Sequence, residues 1–196
     1  MDSQYFKDLF RKYYDKEFDR YNIIENIYNT ENININPGNN IYINKFYINS
    51  ENLNIIINNQ NKAILYNEFI VNKNVNINFL LDNNKEIYIY NLYNIYSNIN
   101  SKFDEKIYNK NKAVIISRIY IPHNSENSDA RLNQIVYDEN GISILLPILD
   151  VFNKKSRGFH GSKTLKLNNK EIEYLNYLSL SKEDIKNILI KEFLKI

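Results

Sequence analysis

The chain has 196 residues, 43% of them apolar, and a formal net charge of +2. That much apolar surface suffices for one folded domain, and so small a charge does not commit the whole molecule to nucleic acid or membrane. The absence of cysteine excludes disulfides, thiol nucleophiles and cysteine-bearing zinc sites.

The N-terminus, MDSQYFKDLFRKYY, is charged and aromatic and has no apolar core of signal-peptide type. No run of eighteen apolar residues occurs, so the expectation is a cytoplasmic protein with no membrane contact. Phe6, Leu9, Phe10, Tyr13, Tyr14, Phe18 and Tyr21 fall at helical spacing, which predicts an amphipathic helix over 1–21. From Ile41 onwards the pattern changes to period two, in short runs at Leu53 to Ile57, Ala63 to Ile70, Val75 to Leu81 and Glu86 to Tyr90. Turn-forming clusters at 58–61 and 82–84 separate them, a spacing that predicts hairpins. Leu92 to Lys110 fits neither helix nor strand cleanly. Lys112 to Ile121 reads as a buried strand, and Leu132 to Tyr137 pairs with Ile142 to Leu146 across Asn140-Gly141, a strong hairpin signal that requires positive φ at the glycine. Ile148 to Phe152 has room for a helical turn, and Thr164 to Leu167 for a last short strand. Ser181 and Asp184 then have capping-box spacing ahead of Ile185, Ile188, Leu189 and Phe193, which predicts a helical C-terminus over 171–196. The expected architecture is a single α+β domain: a helix, an antiparallel meander of seven to nine strands over 41–167, and a helix. No internal repeat of solenoid or propeller strength stands out.

The composition is uneven. There are 28 Asn between Asn22 and Asn111, a drift towards A- and T-rich codons. Gly, Pro, His, Arg and Ala occur seventeen times, twelve of them between residues 113 and 166. That window is where special backbone or titratable groups are needed. Within it, Val151 to Lys170 carries six basic residues and no acid. Lys154, Lys155, Arg157 and Lys163 flank Gly158-Phe159-His160-Gly161, and Arg131 lies in the preceding polar stretch. Two glycines three apart can open backbone N–H groups towards an anion. The spacing resembles the G-x-x-G loop of KH domains, which implies a clamp on a nucleotide backbone. An acid-free strip with an aromatic for stacking is the footprint of an RNA contact.

His123-Asn-Ser125 and His160-Gly-Ser162 contain the only histidines. They resemble the paired H-x-[ST] elements of two-histidine phosphoesterases, which implies a general base and acid in His123 and His160. In that family the elements lie on strands and are farther apart than here. No metal or cofactor site is expected, since the histidines and Asp129 or Asp138 lack ligand spacing and no phosphate-binding glycine loop of the nucleotide-binding folds occurs. The primary expectation is therefore a non-catalytic accessory factor. Its loops 122–131 and 153–163 would bind RNA or a ribonucleoprotein particle, the ribosome included. The alternatives are a small metal-independent phosphoesterase or nuclease, and a protein-binding adaptor. A protein partner that orders the termini is a further expectation.

Overall fold

The computed structural model describes residues 22–165, together with Tyr177, Ser181, 183–185, Ile188 and Phe193. Twelve strands follow one another: β1 (Ile23–Tyr28), β2 (Asn32–Ile35), β3 (Ile41–Tyr47), β4 (Asn52–Asn59), β5 (Ala63–Val71), β6 (Val75–Asn83), β7 (Ile87–Ile95), β8 (Asn100–Asn109), β9 (Lys112–Ile121), β10 (Asp129–Asp138), β11 (Ile142–Val151) and β12 (Arg157–Leu165). Odd strands form one sheet, in the order β1-β3-β5-β7-β9-β11, and even strands form the other, β12-β10-β8-β6-β4-β2. We call these sheets A and B. All pairs are parallel. The chain winds as a β-solenoid, each coil laying one strand in each sheet.

This corrects the α+β expectation. Among the described residues the structure is nearly all β, with 67% strand and 4% helix, and it is not an antiparallel meander. The strand positions largely survive; Lys112–Ile121 is a strand paired on both sides. The connectivity does not, because the clusters at 58–61 and 82–84 and the turn at 139–141 are corners that send the chain to the opposite sheet. Period two is the same in parallel and antiparallel strands. Ile148 to Phe152 is mostly strand rather than a helical turn. The helix expected over 1–21 lies outside the described residues. Most of the one expected over 171–196 does too; there, Ser181 Oγ accepts from the Asp184 N–H at 3.1 Å and Ser181 N–H donates to the Asp184 carboxylate at 3.3 Å, a local cap rather than a framework element.

A repeat is present, but it is short and unevenly spaced. Asn26-Ile-Tyr28, Asn44-Lys-Phe46, Asn67-Glu-Phe69 and Asn91-Leu-Tyr93 recur in β1, β3, β5 and β7. Their asparagines are 18, 23 and 24 residues apart. The aromatic rings stack towards the core, with centroids 5.0, 4.6 and 4.7 Å apart, and Tyr93 continues onto Phe103 of β8 at 4.1 Å. The first three distances follow the 4.7–4.9 Å spacing of neighbouring strands, so parallel in-register pairing itself sets the stacking along sheet A. Around this column lie fully buried Ile55, Ile57, Ile77, Leu81, Ile89, Ile107 and Ile115. Each stabilises the fold by roughly 1.5–3 kcal/mol relative to an exposed side chain. The outer face of sheet A is apolar too, with Ile64, Tyr66, Tyr88, Tyr90, Val114 and Ile116 buried in a second cluster.

Asparagine has a structural use here that codon drift does not explain. In sheet A, Asn26 Nδ2 donates to Asn44 Oδ1 at 2.9 Å, Asn44 to Asn67 at 2.8 Å and Asn67 to Asn91 at 2.8 Å. At one corner, Asn59 donates to Asn83 at 2.7 Å and Asn83 to Asn109 at 2.7 Å; Asn109 then donates to Asp138 at 2.8 Å. Most buried amides are hydrogen-bonded, and an identical amide one coil away offers donor and acceptor at strand spacing.

Gly141 is explained by this corner and not by its backbone, for no glycine has positive φ. The expected hairpin and its left-handed glycine are therefore corrected. A Cβ at Gly141 would overlap Asn109 Nδ2 and the Asn111 carbonyl oxygen. Gly141→Ala should lower stability by about 1–3 kcal/mol in urea denaturation. At Gly158 a Cβ would meet mainly the Leu149 side chain, which is half-exposed and able to turn aside, so Gly158→Ala should cost less. Equal losses would remove this account of Gly141.

Candidate functional site

Two turns identified in the sequence are stacked on one corner of the solenoid. Residues 122–128 join β9 to β10, and 152–156 join β11 to β12. Ser156 Oγ donates to the Ser125 carbonyl at 2.7 Å and accepts from the Ser128 N–H at 3.0 Å. Asn153 Nδ2 donates to the His123 carbonyl at 2.6 Å. Short polar side chains close turns this way because their oxygens and amides substitute for backbone partners. Lys154 and Lys155 project from the later turn and are exposed; Lys155 pairs with Glu126 at 2.9 Å.

Residues 157–165 are not a loop. They form β12, extended and in parallel register with β10. The anion-cradling reading of Gly158 and Gly161 is thereby corrected: an extended strand directs successive N–H groups to opposite sides, so they do not converge on one anion.

Register decides where the predicted site residues point, because paired neighbours share a face. Gly158 and His160 stand beside core residues Ala130 and Leu132 and face inward, although His160 stays exposed at the end of the solenoid. Arg157, Phe159, Gly161 and Lys163 stand beside Asp129, Arg131, Asn133 and Ile135 and face outward. The guanidinium of Arg131 lies 5.3 Å from the Phe159 ring centroid, while its Nε is 3.1 Å from Asp129. Arg157 and Lys163 are exposed, and their side chains have no hydrogen-bond or ion-pair partner among the described residues. In the row of Arg131, one strand back, Lys102 pairs with Asp104 at 2.6 Å. A shallow cavity of about 290 Å³ opens beside this row, lined by Asn76, Asn100, Ser101, Lys102, Asp129 and Arg131.

The two histidines occupy different settings. The His123 ring packs 5.2 Å from Phe152 at the corner. His160 is three strand residues beyond Arg157, about 10 Å into β12 at the usual rise. Among the described residues they share neither a hydrogen bond nor a ring contact. No group of three or more His, Asp or Glu residues there could hold a metal ion, and no helix there is long and apolar enough to cross a membrane.

Sequence reasoning missed the most unusual polar residue, Glu105. It is fully buried on β8 between the sheets. Its carboxylate accepts from Asn91 Nδ2 at 2.9 Å, Tyr93 O–H at 2.7 Å, Ser117 O–H at 2.8 Å and Gln134 Nε2 at 2.8 Å. Burial, reinforced by this carboxylate, pushes the Tyr93 phenol well above its ordinary range, so its O–H remains a donor. A signal was available: Phe103, Glu105 and Ile107 share one phase of the alternation, and the two on either side of Glu105 are core residues. With no solvent access and only uncharged partners, Glu105 is a structural acceptor that joins the sheets, not a group that meets a substrate.

No protein-family model matches the chain, and no curated protein matches it in sequence.

Proposed function

We propose that the protein is a non-catalytic binding factor that holds RNA, free or exposed on a ribonucleoprotein particle such as the ribosome, against the outer face of sheet B. The observation that carries this reading is the group formed by Arg131, Phe159, Arg157 and Lys163. An exposed ring already stacked under a guanidinium offers a base a second planar surface, and two cations that are unpaired among the described residues flank it on the same strand. Single-stranded RNA suits such a group better than duplex, since its bases are free to stack. The polar cavity beside Arg131 has room for a sugar or base edge.

The test is a salt titration of binding to single-stranded polyuridylate. Each phosphate contact contributes a slope of about −0.7 in log K against log salt on single strands. The double variant Arg157→Glu/Lys163→Glu should flatten the slope by about 1.4 if each residue meets one phosphate. Phe159→Ala should weaken binding by about 1–3 kcal/mol and leave the slope unchanged. Binding that is absent in the wild type, or indifferent to both changes, would refute the reading.

A further inference from the structure

We infer that β12 is a self-complementary edge through which two copies of this chain join their B sheets, antiparallel, about a twofold axis at Gly161. The inference does not depend on RNA binding. Sheets A and B end at β11 and β12 on the same side of the molecule, and the two edges differ in kind. In β11, the Ile142 N–H donates to Asn111 and the Phe152 N–H, just beyond the strand, to Ile121. Even-numbered residues therefore face β9, and odd-numbered ones face the open side. Pro147 is odd, so it removes a donor in the middle of that open edge. Proline in this position is a common protection against strand addition.

β12 carries no such block. Its Arg157 N–H donates to Ser128, so odd positions face β10, and the backbone groups of Gly158, His160, Ser162 and Thr164 face the open side. The strand from Phe159 to Thr164 is exposed throughout, and a Cβ at Gly161 would meet nothing within 4 Å.

An antiparallel partner centred on Gly161 places Gly158 opposite Thr164 and His160 opposite Ser162. All are open-side residues, so these are the hydrogen-bonded pairs, with about eight backbone bonds across the axis. Between them, in the closer non-hydrogen-bonded positions, Phe159 faces Lys163 of the other copy and Gly161 faces itself. Lysine over an aromatic face is attractive, and glycine removes the only like-with-like side-chain contact on the axis. Arg157 falls opposite Leu165. Sliding the register by two residues in one direction sets Arg157 against Lys163, like charges that repel; sliding it in the other shortens the pairing. One register is therefore favoured over its neighbours.

The experiment uses the full chain. Sedimentation equilibrium without nucleic acid should give twice the 23.5 kDa of one chain, and Gly161→Lys, which sets two cations on the axis, should raise the dimer dissociation constant at least tenfold. Because the chain has no cysteine, Gly161→Cys provides a direct reading. Its Cα atoms would lie about 4.5 Å apart across the axis, within disulfide range, so mild oxidation should link most chains. Asn133→Cys, its neighbour on β10, would be roughly 14 Å from its mate and should not link. A monomeric wild type, a dimer that persists in Gly161→Lys, or linkage in Gly161→Cys no greater than in Asn133→Cys would each overturn the proposal. Loss of polyuridylate binding with the dimer intact would reject only the RNA reading.

Discussion

Glu105→Leu should lower the stability of the protein by about 3–5 kcal/mol, a size reached when a buried hydrogen-bond network is broken. The leucine would fill most of the space, but Asn91, Tyr93, Ser117 and Gln134 would lose their common acceptor between the sheets. Each buried donor left unsatisfied costs about 1–3 kcal/mol. The four losses are not additive, since neighbouring hydroxyls and amides can turn towards one another. Glu105→Gln keeps the shape and one acceptor oxygen but brings an N–H₂ among donors, so its loss should be smaller, about 1–3 kcal/mol. Urea denaturation followed by circular dichroism measures both. A leucine variant within about 0.5 kcal/mol of wild type, the scale of a surface change, would show that the carboxylate is not what holds this level of the solenoid together.

The second large effect is expected at Asn83→Leu, with a loss of about 2–4 kcal/mol from unmet buried polar groups. Asn83 is the middle rung of the corner ladder. It accepts from Asn59 and donates to Asn109, each at 2.7 Å, and also donates to the Lys112 carbonyl at 3.3 Å. The matching control is Asn54→Leu. Asn54 belongs to a ladder with Asn32 and Asn78, each bond 2.9 Å, on the wetter outer face of sheet B. Water replaces those partners, so that change should stay within about 0.5 kcal/mol. The amide chemistry is the same in both, and only burial differs. Equal losses at the two sites would mean that burial does not decide what a ladder contributes.

The strands were legible in the sequence, and their partners were not. Lys112–Ile121 announces itself by its apolar run, and alternation marks most other strands. Alternation carries no information about which strand lies alongside. The coils also differ in length: Asn26 and Asn44 are 18 residues apart, whereas Asn109 and Asp138 are 29 apart, so no fixed period appears. What did recur, the Asn-x-aromatic element, was hidden among the 28 asparagines between Asn22 and Asn111. Asn140-Gly141 misled for a related reason, since a glycine required by the nearby Asn109 amide has the same sequence form as one required by a hairpin. At the candidate site, the sequence singled out Arg131, Arg157, Phe159 and Lys163, and register puts them on one face. It did not separate His160 from them, because the face a side chain takes depends on a strand pairing that only the fold supplies.

Both buried amide ladders end on a carboxylate, Glu105 for one and Asp138 for the other. A carboxylate oxygen only accepts, so the last asparagine must present its N–H₂ to it, and its carbonyl must then face back along the stack. That choice sets the orientation of the amide behind it, and so on to the first asparagine of each stack, Asn26 in one and Asn59 in the other. The result is two columns of aligned dipoles, each with its positive end on an anion, which is the arrangement a helix N-terminus offers to a negative charge. A single acidic residue thus imposes polarity on side chains several coils away, and the direction of the solenoid is written into its interior as well as its backbone.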